Sequence, residues 1–193
     1  MPVAVFDIDG TLTDTMDVDV ECFEAAIHEE LGITIPAEWP DFDEITDSAI
    51  LAAACALQGH AVPEIETEHR IASRIQDRLE IALRHSPERF LPIPGATTIF
   101  DTLRGAGWAI AMATGAWRPS ALVKLRGAGI PHRDVPLATS TDFRARKDII
   151  AHAVASVSPD SNTQVVYFGD GVWDGRAAAS LGCNFIGVGR KSE

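Results

Sequence analysis

The sequence predicts an α/β chain: a doubly wound parallel sheet with an all-helical segment inserted after its first strand. Three observations predict it. Short apolar runs at 3–6, 108–113 and 164–168 are each soon followed by a polar turn, as buried parallel strands are. Segments of helical spacing separate the later runs. Residues 16–92 break that alternation and contain helical patterns but no convincing strand.

Val3-Ala4-Val5-Phe6 is a short apolar run ahead of the Asp9-Gly10 turn and reads as the first strand. Trp108 to Ala113 reads the same way and ends at Thr114-Gly115. Val135 to Ala138 is a weaker strand, Gln164 to Phe168 a strong one, and Asn184 to Val188 a fifth. Between them lie helical segments: 96–106 with Ile99 and Leu103 on one side, 118–128 with Leu122 and Leu125, 147–157 with Ile150 and Val154, and 174–182. Gly182 suits a left-handed helix end. Strands alternating with helices imply βαβ units and a Rossmann-like sheet covered on both faces. In the inserted part, Val20, Phe23, Ile27 and Leu31 recur at helical spacing, 48–57 is Ala-rich, and 64–85 carries Ile71, Ile75, Leu79, Ala82 and Leu83. Pro36, Pro40, Gly59 and Pro63 punctuate these helices, and Pro92-Ile93-Pro94-Gly95 marks the return to the alternating part.

The 193 residues are 46% hydrophobic and 23% charged, enough apolar material for a real core. The net charge of −12 repels a phosphate backbone and argues against nucleic-acid binding. It also requires that any anionic substrate be met locally, by a metal, a cationic side chain or backbone amides. Cys22, Cys55 and Cys183 are odd in number and widely spaced, as buried thiols in a reducing compartment would be. The first ten residues lack a basic n-region, and no apolar run approaches the roughly 20 residues of a membrane span. A soluble, cytoplasmic protein without membrane partners is expected.

In an open parallel sheet, ligands bind beyond the carboxyl ends of the strands, and here those ends carry chemistry. Asp7 and Asp9 are two apart on an extended chain and project to one side. Paired carboxylates tolerate each other best with a cation or a shared proton, so one suits a nucleophile or metal ligand and the other an acid–base. Thr114-Gly115 offers a hydroxyl and an amide at the second strand end, although a Thr there commonly just caps the strand. Gly169-Asp170-Gly171-Val172-Trp173-Asp174 places two carboxylates on a turn entering a helix, suited to sharing a hard cation such as Mg²⁺; a turn residue and a helix N-terminal acid are the plainer explanation. Lys147, one of only three lysines with Lys124 and Lys191, begins a helix between these last two motifs.

Taken in order, Asp7-Ile8-Asp9-Gly10-Thr11, Thr114, Lys147 and the Asp170/Asp174 pair resemble the haloacid dehalogenase superfamily of phosphohydrolases. The match covers an α/β catalytic core of residues 1–15 and 93–193. Residues 16–92 resemble the α-helical cap of the phosphoglycolate phosphatase-like branch. The resemblance implies that Asp7 attacks phosphorus and becomes phosphorylated. Asp9 protonates the leaving alcohol and then activates water. Thr114, Gly10, Thr11 and the amides near Ile8 and Gly115 hold phosphoryl oxygens, and Lys147 neutralises charge. It further implies Mg²⁺ held by Asp7, the Asp9 carbonyl, Asp170 and Asp174, and a small phosphorylated metabolite as substrate. True dehalogenases lack the second acid, which is present here as Asp9. Residues 16–92 contain no lysine to form a Schiff base, against phosphonoacetaldehyde hydrolysis. A phosphosugar mutase on the same fold, or a non-catalytic phosphate-binding protein, is the alternative.

For the cap, Thr46-Asp47-Ser48 reads as a helix N-cap or as a loop facing the site. Arg70, Arg74 and Arg78 form a stripe that either is solvated and pairs with nearby Glu66 and Asp77 or recognises a second anionic group. Trp117 and Trp173 each follow a motif closely and either line the site or wall the core.

Overall fold

The structure, a computed structural model, describes residues 1–35, 45–158 and 163–189. Pro36 and Pro40 lie outside the described residues. Strands run over Val3–Phe6 (β1), Thr13–Asp14 (β2), Leu91–Pro92 (β3), Ala109–Ala113 (β4), Leu137–Ala138 (β5), Val165–Gly169 (β6) and Asn184–Gly187 (β7). Helices run over Met16–Leu31 (α1), Asp47–Leu57 (α2), Ile65–His85 (α3), Ala96–Gly105 (α4), Arg118–Gly127 (α5), Arg146–Val157 (α6) and Val172–Ser180 (α7).

Five strands form one parallel sheet in the order β5-β4-β1-β6-β7. β1 is central and buried at all four residues, which explains its unbroken apolar run. Its side chains alternate between two cores. Ala4 and Phe6 join a cluster with Phe100, Met112 and Leu125; Val3 and Val5 join one with Ile149, Ile150 and Tyr167. The sheet is therefore covered by α4 and α5 on one face and by α6 and α7 on the other. β5 and β7 are the edge strands, and all four residues of β7 are exposed.

The two-stranded β2–β3 ribbon stands where the chain leaves the sheet for α1–α3 and where it returns. α1, α2 and α3 share a third core of Phe23, Ile27, Leu51, Ile71, Ile75 and Leu79, closed by Trp117 and Val123. α5 thus wedges between two cores: Val123 faces the helical part, and Ala121 and Leu125 face the sheet. On the outer surface Arg70 and Arg74 pair with Glu30 at 2.6 and 2.8 Å, and Arg78 pairs with Glu29. The stripe is an exposed ion-pair lattice of modest energetic value. Cys22 and Cys55 are buried and Cys183 is half-buried, all free. Among the described residues, no helix is long and apolar enough to cross a membrane.

Candidate active site

Three parallel strands end at one place and deliver its side chains. The Asp7 amide donates to the Phe168 carbonyl at 2.9 Å, and the Thr114 amide to the Ala138 carbonyl at 3.1 Å, so β1 stays paired with β6, and β4 with β5, up to the residues that matter. After Asp7 the chain turns sharply: the Ile8 carbonyl accepts the amides of Thr11, Leu12 and Thr13. Gly10 allows this turn. Its φ is +73°, and a Cβ there would lie 2.1 Å from Asp170 Oδ2. No other residue fits so close to the carboxylate from β6. Gly10→Ala should therefore cost roughly 1–3 kcal/mol of stability and displace Asp170, read as a lower urea midpoint.

A cavity of about 280 Å³ opens at these strand ends, lined by Asp7, Asp9, Thr114, Gly115, Arg146, Asp170 and Trp173 from the sheet side. Asp19, Phe23, Glu24, Thr46 and Asp47 close it from the helical side. A larger hollow of about 470 Å³ lies between α3 and the Ser140–Arg144 loop. It contains none of the Asp7, Asp9 and Asp170 carboxylates, so chemistry rather than size marks the site.

Asp7, Asp9, Thr114, Gly115 and Asp170 line the cavity together. Gly10 and Thr11 do not line the cavity; Thr11 is buried beneath the turn. Asp174 is buried behind the cavity. Its Oδ2 accepts the Gly171 amide at 3.1 Å, and its Oδ1 accepts Arg146 at 2.8 Å and the Tyr167 hydroxyl at 3.2 Å.

Lys147 requires correction. It is exposed and lines not the Asp7 cavity but an adjoining hollow with Arg176 and Ser180. The buried cation is its neighbour Arg146, 6% exposed, with Nη1 at 3.2 Å from Asp7 Oδ1 and Nη2 donating to the Ile45 carbonyl at 2.9 Å. The reason is helical phase. α6 begins at Arg146, and its buried stripe is Ile149, Ile150 and Ala153. Arg146 is three and four residues ahead of the first two, and so on their side.

Sequence reasoning also missed Lys124. Its side chain is fully buried in α5, with Nζ 2.5 Å from Asp9 Oδ2 and 2.9 Å from Asp19 Oδ1. Burial alone would lower its pKa, but Asp19, Asp9 and Asp47 together raise it above the usual lysine range. Asp19 was missed as a cavity residue too, whereas Asp47 lies in the segment read as a helix cap or as a loop facing the site. Thr46 caps α2 by accepting the Ala49 amide, while Asp47 Oδ2 accepts the Trp117 amide at 2.7 Å, so this segment is both helix cap and site wall. Trp117 belongs to the helical core, its Nε1 donating to Ser48 at 2.9 Å, whereas Trp173 lines the cavity.

The site is crowded with acid. Burial first, then Asp174, pushes Asp7 well above the carboxylate range despite Arg146. Burial and Asp174 push Asp170 up to about 6. Asp7, Asp170 and Asp174 each offer an oxygen, all within 4.8 Å of one another. Such a set of hard oxygen donors, costly to ionise together, fits a divalent cation. Asp174 is committed to Arg146 and Gly171, so direct contact with such a cation would fall to Asp7 and Asp170.

Asp47 is pushed up to about 8 by burial and then by Asp19. Unfolded, an Asp titrates near 3.9, so the fold favours its neutral form. Its contribution to stability is full below the unfolded value and is lost as pH rises through about 8. Asp47→Asn keeps an oxygen for the Trp117 amide and removes the titration. Thermal unfolding should show the variant more stable than wild type near pH 8, the gap closing toward about pH 4.

The profile of the haloacid dehalogenase-like hydrolases matches residues 1–182. The chain belongs to that family. Two curated relatives, the tyrosine-protein kinases PtkA of Mycobacterium tuberculosis and Mycobacterium bovis, are each 30% identical over 97% of the chain. The chain spans 62% of their length. Among solved structures, a β-phosphoglucomutase from Clostridium difficile aligns with TM-score 0.73 and 18% identity over 98% of this chain and 86% of its own. CbbY from Rhodobacter sphaeroides, in complex with phosphate, aligns at 0.70 and 21% over 100% and 90%. A phosphoglycolate phosphatase, so designated by prediction, from Haemophilus somnus aligns at 0.62 and 17% over 97% and 84%. At such identities these structures speak for the fold, and the family's divalent-metal habit agrees with the acidic cluster.

Proposed function

We propose that the chain is a Mg²⁺-dependent phosphatase that hydrolyses a small phosphate monoester through an aspartyl-phosphate on Asp7. One observation carries the reading: Asp7 and Asp9 face one cavity from a single strand end, each with its own buried cation.

In the first step an Asp7 oxygen forms a bond to phosphorus while the ester P–O bond breaks. Asp9 gives its proton to the departing alcohol oxygen. In the second, Asp9 takes a proton from water as that water attacks phosphorus, and the bond to Asp7 breaks to release inorganic phosphate. Thr114 and nearby amides orient the phosphoryl oxygens, and Arg146 holds Asp7 in line. Asp7, the Asp9 carbonyl and Asp170, with Asp174 behind them, would hold Mg²⁺, which would supply charge neutralisation for an anionic transition state. A cytoplasmic location belongs to the same reading.

The wall facing the leaving group points to its class. Asp19, Glu24 and Asp47 line it, and the only cation among the described lining residues is Arg146. Arg70, Arg74 and Arg78 are engaged with Glu29 and Glu30 instead, and residues 36–44 contain no Lys or Arg. A second phosphate or a carboxylate on the leaving group would meet acids and apolar side chains but no cation among the described lining residues of that wall. That disfavours a bisphosphate-handling mutase and phosphoglycolate itself, and favours uncharged or amine-bearing leaving groups such as polyol phosphates.

The test is phosphate release across phosphorylated metabolites, with Mg²⁺ and with EDTA. Turnover should require Mg²⁺ and favour monoesters of neutral alcohols over bisphosphates by about 10²-fold or more in kcat/KM. A preference for bisphosphates would overturn the substrate class, and metal-independent turnover the metal. The 30% identity to tyrosine-protein kinases supports a second reading, phosphoryl transfer from ATP to a tyrosyl group. Labelled ATP with a tyrosine peptide in the same panel separates the two, since only the kinase reading carries label to tyrosine.

A further inference from the structure

Lys124 has no part in the steps above, yet its placement is hard to explain as structure alone. It occurs in mid-helix on the inward stripe that includes Ala121 and Ala128, positions that elsewhere on α5 bury alanine. A fully buried ammonium is costly unless it is paired and hydrogen-bonded, and an apolar residue in its place would remove that cost. What its burial achieves is contact with Asp9. Nζ holds Asp9 Oδ2 at 2.5 Å, while the Thr15 hydroxyl holds Oδ1 at 2.8 Å. Thr15 is itself fixed by Thr13 at 2.6 Å. Both oxygens of Asp9 are therefore gripped by buried donors, and each retains a further lone pair for a ligand.

Arg146 is not an alternative partner for this carboxylate: its described contacts are Asp7, Asp174, Tyr167 and the Ile45 carbonyl. The two cations divide the paired carboxylates between them. We propose that Lys124 is a positioning residue for Asp9, fixing the acid–base carboxylate toward the leaving oxygen while Arg146 serves the nucleophile. This rests on the reading of Asp9 as the acid–base of a phosphatase.

The inference has a signature that a structural role lacks. kcat/KM reports events up to the first irreversible step, transfer of phosphorus to Asp7. An alkoxide needs a proton to leave in that step; 4-nitrophenolate does not. Removing Lys124 should therefore impair alkyl phosphates selectively. The variants are Lys124→Met, Lys124→Arg and, should three unneutralised carboxylates prevent folding, the double variant Lys124→Met with Asp19→Asn. Asp9→Asn is the reference.

Lys124→Met, or the double variant, should lower kcat/KM for an alkyl phosphate by about 10²-fold, and for 4-nitrophenyl phosphate by no more than about threefold. Lys124→Arg should recover part of the alkyl loss. Equal losses on both esters, or none, would overturn the positioning role. If Asp9→Asn shows the leaving-group dependence and Lys124→Met does not, only this inference fails. If Asp9→Asn shows none, or the wild type cleaves neither ester, the phosphatase reading fails and takes this inference with it.

Discussion

Asp7→Asn should reduce phosphate release by at least about 10³-fold, because an amide of the same size cannot supply the attacking oxygen. The same substitution should leave the metal-free protein at least as stable as wild type at neutral pH. Burial and the neighbouring carboxylates of Asp174, Asp9 and Asp170 all disfavour ionised Asp7. Only Arg146 opposes them, and Asn retains an oxygen for its Nη1 to reach. Loss of function with retained or increased stability is expected of a residue placed against the preference of the fold, and thermal unfolding beside the activity assay reads both. An inactive variant that is also unfolded would leave Asp7 as a structural residue.

Arg146→Ala should have the opposite profile, losing activity and about 3–5 kcal/mol of stability together. Its guanidinium is the only buried cation within reach of Asp7 and Asp174 among the described residues, and it ties α6 to the Ile45 carbonyl at the mouth of the cavity. Arg146→Lys keeps the charge but loses the planar fork that meets these partners at once, and should recover only part of either loss. Lys147→Ala, one residue away and exposed, should change stability by less than about 0.5 kcal/mol and activity negligibly. Urea denaturation and steady-state kinetics on the three variants decide which neighbouring cation serves the site. Equal sensitivity at 146 and 147 would contradict the assignment.

That pair also shows where the sequence was legible. The strands were legible because a sheet covered on both faces demands unbroken apolar runs, as at Val3–Phe6 and Ala109–Ala113. Asp7, Asp9 and Asp170 were legible because a strand end fixes which residue comes last. Helical phase is less forgiving. Beginning α6 at 147 and reading its stripe through Ile150 and Val154 selects Lys147; the stripe through Ile149, Ile150 and Ala153 selects Arg146. Lys124 had a signal of the same kind, a lysine between Val123 and Leu125 in phase with Ala121 and Ala128. Lysine is so often solvated that the phase was easily discounted. Asp47 was half legible, in a segment read as a helix cap or as a loop facing the site; Asp19 had no such signal. Their meeting at the cavity depends on how α1 and α2 dock over the sheet, which local periodicity does not encode.

The central claim is a covalent bond between phosphorus and Asp7, and trapping that bond tests it most directly. Asp9→Asn given 4-nitrophenyl phosphate and Mg²⁺ should transfer phosphorus, since the leaving group needs no proton, and then stall without its base. Acid quenching followed by borohydride reduction and peptide mass spectrometry should find homoserine at position 7, in proportion to a burst of nitrophenolate. A burst with the label on another residue, or multiple turnovers with Asp7 unmodified, would contradict the account.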